Sequence, residues 1–450
     1  MRNTSAKHSR TKSWKTSRNK QRRTGVVQPI GPVQGFTIDG LTHEAKGVAR
    51  NHGKVTFIEG ALPGESVKGQ VVKSNRRYDE AKLINIEQQS EHRVSPACPH
   101  YDECGGCRFQ HLALEQQRSA KMTWLQGQLR KVWPAQGLTL LADSPLGYRR
   151  RARLSVKVKG QGLRLGFRSA SSQDIVSIDN CLVLTPKLQQ VFASLKATLK
   201  HDAIDDKLGH IELLEDDKGA SVLLRLTAEI EPATQQQWQQ WADQASLDLY
   251  WQYPQEKRAL VTEDTMRHYQ LDELSLSYHP QDFIQVNGTM NKKMVKQAID
   301  WLAPNKDDVI LDLFCGVGNF SLPLAKRAKK VVGVEVQASM VKAGQANAKA
   351  NHLDNLSFIG ADLTHMPSKE ISQLGVTKVL LDPPRAGAFE FLPTLVKLKP
   401  KQILYVSCDA ATLARDTEYL VAHGYQVQQA GMMDMFPQTA HLETMLLLTR

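Results

Sequence analysis

Between Pro32 and Gln89 short apolar runs alternate with glycines, in GFTIDGL, GVARNHGKVTFIEGALPGESVKGQVV and EAKLINIE. That spacing predicts a small antiparallel barrel, because short β-favouring runs bounded by turns read as half-buried strands. The next block, residues 91–276, has a helical stretch near Leu112 to Val132, then strand-like runs RRARLSVKV, GLRLGFR and DIVSIDNC. Ala152, Leu154, Val156 and Val158 alternate with basic residues, which marks a strand with one buried and one charged face. The stretch Thr227 to Leu271, with Trp238, Trp241 and Trp251, predicts only packed helix and strand. Residues 277–450 change the rhythm, with apolar runs DVILDLFCG, KVVGVEV, LSFIGAD, KVLLDPPR, QILYVSCD and TMLLLT separated by helical stretches. Such alternation predicts a parallel sheet flanked by helices.

Charge adds a partner to this picture. Across 450 residues, 58 Lys and Arg against 46 Asp and Glu leave a net charge of +12. Clustered cations gain affinity for nucleic acid by releasing phosphate counterions, with a merely soluble basic protein as the alternative. Residues 1–30 contain no acidic residue and predict a disordered basic arm, either touching phosphates or only solubilising the chain. Arg149, Arg150, Arg151, Arg153, Arg164 and Arg168, interleaved with Tyr148 and Phe167, predict an RNA-facing surface rather than a solvated face. In the barrel, Phe36, Phe57 and Tyr78 are the aromatics available for stacking on bases, with core packing the alternative for Phe57. Six cysteines are too few for a disulfide scaffold, and no secretory signal or bilayer-length apolar run is found, so a reducing, cytoplasmic setting is expected. By composition alone the arm also resembles a mitochondrial transit peptide.

Three groups of residues carry chemistry. VILDLFCGVGNFSLPLA reads as a buried strand, a glycine turn at Gly316 and Gly318, and a helix whose first amides face a ligand. The following strand ends at Glu335, where a carboxylate can accept both hydroxyls of a ribose, and Asp362 follows the third strand within reach of an adenine amine. A third glycine at the dinucleotide spacing is missing, and the turn resembles that of methyltransferases, so S-adenosylmethionine is the expected cofactor. In ILYVSCDAATLARD, Cys408 ends a buried strand and begins a helix, whose N-terminus favours thiolate; a small core residue is the alternative. Asp382 and Arg385 end the preceding strand, and Glu443 lies near the C-terminus. Finally, Cys98, Cys104 and Cys107 form C-x5-C-x2-C, with Cys181 the only other cysteine nearby, and four thiolates suit either zinc or an iron–sulfur cluster.

In order along the chain, FIQVN (Phe283 to Asn287), DLFCGVGNFSLPLA, LDPPRAG, YVSCD with ATLARD, and DMFPQTAHLET resemble the RNA (uracil-5-)-methyltransferase family. The barrel stretch resembles a TRAM domain through Gly64-Glu65-Ser66-Val67 and the basic Lys73, Arg76 and Arg77. Together with the cysteines, the chain is most similar to the 23S ribosomal RNA branch that carries a TRAM domain and an iron–sulfur cluster. The resemblance implies a multidomain α/β protein: arm 1–30, OB-like TRAM barrel 31–90, central α+β iron–sulfur and RNA-binding domain 91–276, and Rossmann-like methyltransferase domain 277–450. It implies Cys408 as nucleophile and Glu443 as general base, with His441 a weaker candidate that otherwise reads as a surface or structural histidine. Cofactor contacts are implied at Gln285, Phe314, Asn319, Glu335, Asp362 and Asp382, and a [4Fe-4S] cluster on Cys98, Cys104, Cys107 and Cys181.

The chemistry independently explains these residue types. Uracil C5 is too weak a nucleophile to take a methyl group unaided, so a thiolate adds at C6 first and a base later removes the C5 proton. Phe283 would stack on the flipped base, and Cys315 would only pack. The implied substrate is a uridine in domain IV of 23S ribosomal RNA, acted on by a monomer without membrane or DNA partners. Transfer RNA, a second ribosomal uridine, or a non-catalytic RNA-binding assembly role are the alternatives. DNA cytosine methylation is disfavoured because Ser407, not proline, precedes Cys408.

Overall fold

The computed structural model describes residues 29–450 apart from residues 52, 135–136, 160–161, 171, 200–203, 364–370 and 372. The expected N-terminal arm therefore falls almost wholly outside the described residues. Five strands, β1 (Val33–Leu41), β2 (Lys46–Asn51), β3 (Lys54–Glu59), β4 (Ser66–Ser74) and β5 (Tyr78–Gln88), close a barrel in the order β1-β2-β3-β5-β4. Phe36, Ile38, Ile58, Val67 and Ala81 fill it, the period-two outcome expected of its glycine-punctuated runs. Phe57 and Tyr78 are half-buried and meet at 5.4 Å between ring centroids. Glu65, in the Gly64 turn, is buried without being orphaned. It accepts the amides of Leu62 and Ser90 and pairs with Arg93, tying the barrel to the segment that follows.

Helix α1 (Leu114–Leu129) buries Gln117, Lys121, Leu125 and Leu129, one stripe at four-residue spacing. After the short strand β6 (Thr139–Leu141) come β7 (Arg151–Lys159), β8 (Gly162–Arg168), β9 (Ile175–Ser177), α2 (Pro186–Leu199), β10 (Leu208–Asp216), β11 (Gly219–Leu226), α3 (Pro232–Gln244) and β12 (Asp248–Gln252). They form a sheet ordered β12-β11-β10-β7-β8-β9, with Leu188, Phe192 and Leu195 of α2 and Trp238 of α3 in its core. On β7 Ala152, Leu154 and Val156 are buried, whereas Val158, beside the hairpin end, is exposed. The basic cluster is only partly free for a partner. Arg151 pairs with Glu212, and Arg150 lies over the Tyr269 ring and donates to the Gln285 carbonyl, while Arg153 and Arg168 stay exposed.

A hairpin of β13 (Arg267–Leu271) and β14 (Leu274–Tyr278) leads to the last layer. There α4 (Gly288–Leu302), β15 (Val309–Leu313), α5 (Ser321–Ala325), β16 (Lys330–Glu335), α6 (Ala338–Ala350), β17 (Leu356–Gly360), β18 (Lys378–Leu381), α7 (Leu392–Leu398), β19 (Gln402–Ser407), α8 (Ala410–Ala422), β20 (Gln426–Met433) and β21 (Glu443–Thr449) follow. The eight-stranded sheet runs β17-β16-β15-β18-β19-β21-β20-β6. Strands β15 to β19 are mutually parallel, and all but the edge strand β17 are buried on both faces, which is why those four read as unbroken apolar runs.

Residues 91–276 do not keep to a core of their own. Leu125, Leu129, Trp133 and Leu138 join one face of the large sheet, and Tyr269, Leu271, Leu274, Leu276 and Tyr278 join the other. Strand β6 extends its edge by pairing Thr139 with Gly431. A Cβ on Gly431 would sit 2.3 Å from the Thr139 hydroxyl oxygen, so this close pairing needs glycine. Among the described helices none is long and apolar enough to cross a membrane.

Candidate active site and cysteine cavity

Parallel pairing aligns the C-terminal ends of β15, β16, β17, β18 and β19 along one edge, and the order reverses between β15 and β18. Ligands of doubly wound sheets bind at such a switch point. Phe314, Glu335 and Asp362 line a cavity of 440 Å³ there, together with Val336, Phe389 and Arg415. Glu335 accepts the amides of Gly316 and Gln337, one on each carboxylate oxygen, which fixes the carboxylate beside the turn. Phe314 holds φ +62° and Gly318 φ +102°. A side chain at Gly318 would also meet Leu322 at 2.3 Å, so the turn needs glycine for both conformation and space. The expected helix follows the turn but is short: α5 spans Ser321–Ala325 and has no side-chain cap.

Gln285 and Asn319 do not line this cavity. Asn319 accepts the Tyr269 hydroxyl at 2.9 Å and exchanges two hydrogen bonds with Asn291. Asp312 was missed by sequence reasoning, although an acid inside an otherwise apolar strand was a signal. It is fully buried, bonded to Ser321 through one oxygen with the other unpartnered, and burial pushes its carboxyl up to about 7.

The reacting residues meet at the next strands. Because β21 is antiparallel to β19 with Ser407 opposite Thr444, the adjoining Cys408 and Glu443 lie at the same sheet edge, next to the end of β18. Asp382, Arg385, Cys408 and Glu443 all interact electrostatically. Burial pushes Asp382 up to about 7 and Glu443 well above the carboxylate range, with Asp382 adding to the rise at Glu443 and Arg385 opposing it.

The expectation of a thiolate-favouring helix end at Cys408 is not met. Asp409 is the N-cap of α8 and its carboxylate accepts the amides of Ala411 and Thr412, so the helix terminus is already neutralised. Burial, then the Glu443 carboxylate, raise the Cys408 thiol to about 11, with Arg385 the cation that counters them. Arg385 therefore emerges as a site residue. Its guanidinium also lies 3.5 Å from His441 Nδ1. Burial, then this cation, lower the pKa of His441, which leaves it poorly placed as a base. Phe283 exposes its ring, whereas Cys315 is buried behind the glycine turn.

Cys98, Cys104, Cys107 and Cys181 line one cavity of 280 Å³ with Tyr148, Arg149 and Thr439, and none is disulfide-bonded. Burial, then electrostatic repulsion from the other three thiols, push Cys107 up to about 12. Among the described residues no group of three or more His, Cys, Asp or Glu side chains has the spacing to hold a metal ion. A groove of 720 Å³ separates this loop from the barrel and is lined by Lys46, Phe57, Lys82, Cys104, Cys107 and Arg108.

Fold and site define a class, a methyltransferase-type α/β domain joined to a small closed five-stranded barrel. Comparison with known proteins sharpens this. The tRNA (Uracil-5-)-methyltransferase family matches residues 113–450, and the TRAM domain matches residues 30–84. A Marinomonas sp. (strain MWYL1) protein named 23S rRNA (uracil(1939)-C(5))-methyltransferase RlmD is 60% identical over 95% of this chain and 97% of its own. Its namesake from Marinomonas posidonica is 57% identical over 96% of this chain and 99% of its own. The crystal structure of Pyrococcus abyssi tRNA (uracil-54, C5)-methyltransferase in complex with S-adenosyl-L-homocysteine shares the fold, with a TM-score of 0.74 at 24% identity over 92% of this chain and 99% of that one. The chain belongs to the uracil-5-methyltransferase family and is an enzyme of that family with an N-terminal TRAM domain.

Proposed function

We propose that this enzyme methylates C5 of a uridine in 23S ribosomal RNA through a covalent adduct on Cys408. The observation that carries the reading is the strand register that brings Cys408 and Glu443 to one sheet edge beside the end of β18. S-adenosylmethionine, when bound, supplies an electrophilic methyl group. Phe314, Glu335 and Asp362, which line the cavity, would hold it, and Gln285, Asn319 and Asp382, which lie outside that lining, would contact the part of the cofactor that extends beyond it. Unpaired oxygen lone pairs on Glu335, beside a cavity of 440 Å³, suit the ribose of that cofactor.

In the reaction, the Cys408 thiol gives up its proton to solvent, and Arg385 stabilises the thiolate that remains. The thiolate electron pair makes a bond to uracil C6, and the C5–C6 π pair shifts toward C5 and O4, which makes C5 nucleophilic. After C5 is methylated, Glu443 takes its proton. The C5–H pair re-forms the double bond, and the C6–S bond breaks to return the thiolate. Burial raises the proton affinity of Glu443, so its deprotonated form, which Arg385 favours, is a strong acceptor for this proton. Phe283, with its exposed ring, would stack on the flipped uracil.

Cys98, Cys104, Cys107 and Cys181 would hold a [4Fe-4S] cluster. Four thiolates on one zinc, with bonds of about 2.3 Å, would have to converge closely. Four cysteines that line one cavity suit a cluster, in which each iron takes one of the four thiolates. The cluster would shape the RNA-binding surface and transfer no electron in this reaction. Relatives of 57–60% identity carry 23S ribosomal names, whereas the transfer-RNA enzyme shares 24% identity, and this supports ribosomal RNA. A cytoplasmic setting and a monomeric state belong to the same proposal. Labelled methyl transfer to 23S and transfer RNA, with mass mapping of the products, tests the reading. One labelled 5-methyluridine in 23S RNA is expected, and its absence from every RNA offered would refute the proposal.

A further inference from the structure

The run from Asp434 to Leu442, which leads into Glu443, belongs to no helix or strand. Its backbone groups therefore need partners outside any ladder. Four consecutive carbonyls find them on four separate parts of the chain. Met435 O accepts from Asn287 at 3.3 Å, and Phe436 O accepts from the buried Lys121 ammonium at 3.1 Å. Pro437 O accepts from the Tyr148 hydroxyl at 2.9 Å, and Gln438 O accepts from the amides of Arg108 and Phe109 at 3.0 and 3.1 Å. Gln438 holds φ +67°, a conformation that costs a residue with a Cβ. Gln117, itself buried, secures it twice: Gln117 accepts the Gln438 amide at 3.2 Å and donates to the Gln438 side chain at 3.0 Å. One of these anchors, Tyr148, also lines the cysteine cavity, and another, Arg108, directly follows the cavity residue Cys107.

We propose that Tyr148 and Gln117 are positioning residues for proton removal at C5: they clamp the 435–438 run and thereby set where the Glu443 carboxyl meets the substrate. This rests on the reading of Glu443 as the base. The clamp also makes the wall of the cysteine cavity and the base one mechanical unit. Neither residue touches the nucleophile or the candidate cofactor cavity, so the defect falls on one step. Addition of Cys408 and methylation proceed, while release waits for the proton to leave.

The test compares Tyr148→Phe and Gln117→Met with the unaltered enzyme on uridine and 5-fluorouridine 23S RNA fragments, read on denaturing gels. With 5-fluorouridine no proton has to leave C5, so both variants should form the covalent complex at the unaltered rate. With uridine RNA they should accumulate a covalent protein–RNA complex and release product on the order of tenfold more slowly, the scale of one lost buried hydrogen bond. Release at the unaltered rate, slow release without accumulated complex, or slowed fluorouridine trapping would each overturn the proposal. Failure of the unaltered enzyme to trap on fluorouridine RNA would instead overturn the nucleophile reading on which it rests.

Discussion

At Cys408 the balance of local charges decides how the thiol behaves before substrate arrives. Burial and the Glu443 carboxylate raise it to about 11, and Arg385 only partly offsets them. The thiolate is the charged form, so a raised pKa means that it is scarce at neutral pH and grows with pH. Alkylation of Cys408 by iodoacetamide, followed by peptide mass spectrometry, should therefore rise about tenfold per pH unit between pH 7 and 9. It should slow further in Arg385→Ala. A flat profile would mean that the thiol is already ionised and the present account of its surroundings is wrong.

The residue types of this centre were legible in the sequence, because a cysteine at a strand end in company with Asp382 and Glu443 points to covalent chemistry. Their ionisation was not. It depends on Asp409 capping α8 beside the cysteine, on how deeply Glu443 is buried, and on where the Arg385 guanidinium lies, and the last two are set by contacts between separate segments. Asp312 and Tyr269 escaped notice for the same reason: their roles are defined by Ser321 and Asn319, not by neighbours in the chain.

Among elements, the hairpin β13–β14 joins the central sheet to the large one, and a single buried cation secures it. Arg267, fully buried, bonds Asp216 at the end of β10 and Asp248 at the start of β12, and Tyr278 donates to Asp216 at 2.6 Å. Removing the cation leaves the Asp216 carboxylate buried and without its counter-charge. Arg267→Met should lower stability by about 3–5 kcal/mol, seen as a lower denaturant midpoint of the transition that exposes this joint. An unchanged midpoint would show that the pair is dispensable for the joint.

Elements with an unbroken or alternating apolar pattern were readable in advance, β7, β15, β16, β18 and β19 among them. Strand β6 was not, since three residues carry no period and its pairing depends on Gly431 in a distant segment. Helix α1 buries Gln117 and Lys121 on the same stripe as Leu125 and Leu129, so its polar anchors hide its packed face from a hydrophobicity reading.

For the whole molecule, the chain is less divided than its changes of rhythm suggest. Segments from 114–141 and 267–278 complete the cores on the two faces of the large sheet. The cysteine cavity opens between the loop that follows the barrel and β7, with Thr439, four residues before Glu443, in its wall. On the proposed reading, the barrel, the exposed arginines Arg153 and Arg168, and the groove beside Phe57 would offer RNA a surface next to that cavity. The net charge of +12 favours such an encounter with a polyanion.

The central claim, a covalent methyl transfer through Cys408, is tested most directly by trapping. The enzyme is incubated with 5-fluorouridine-substituted 23S RNA and methyl-labelled S-adenosylmethionine, and the denatured product is digested and mapped. The account predicts a stable protein–RNA complex carrying the label, joined at Cys408 and absent with Cys408→Ala. Methylated RNA without any complex, or a complex that persists in Cys408→Ala, would contradict it.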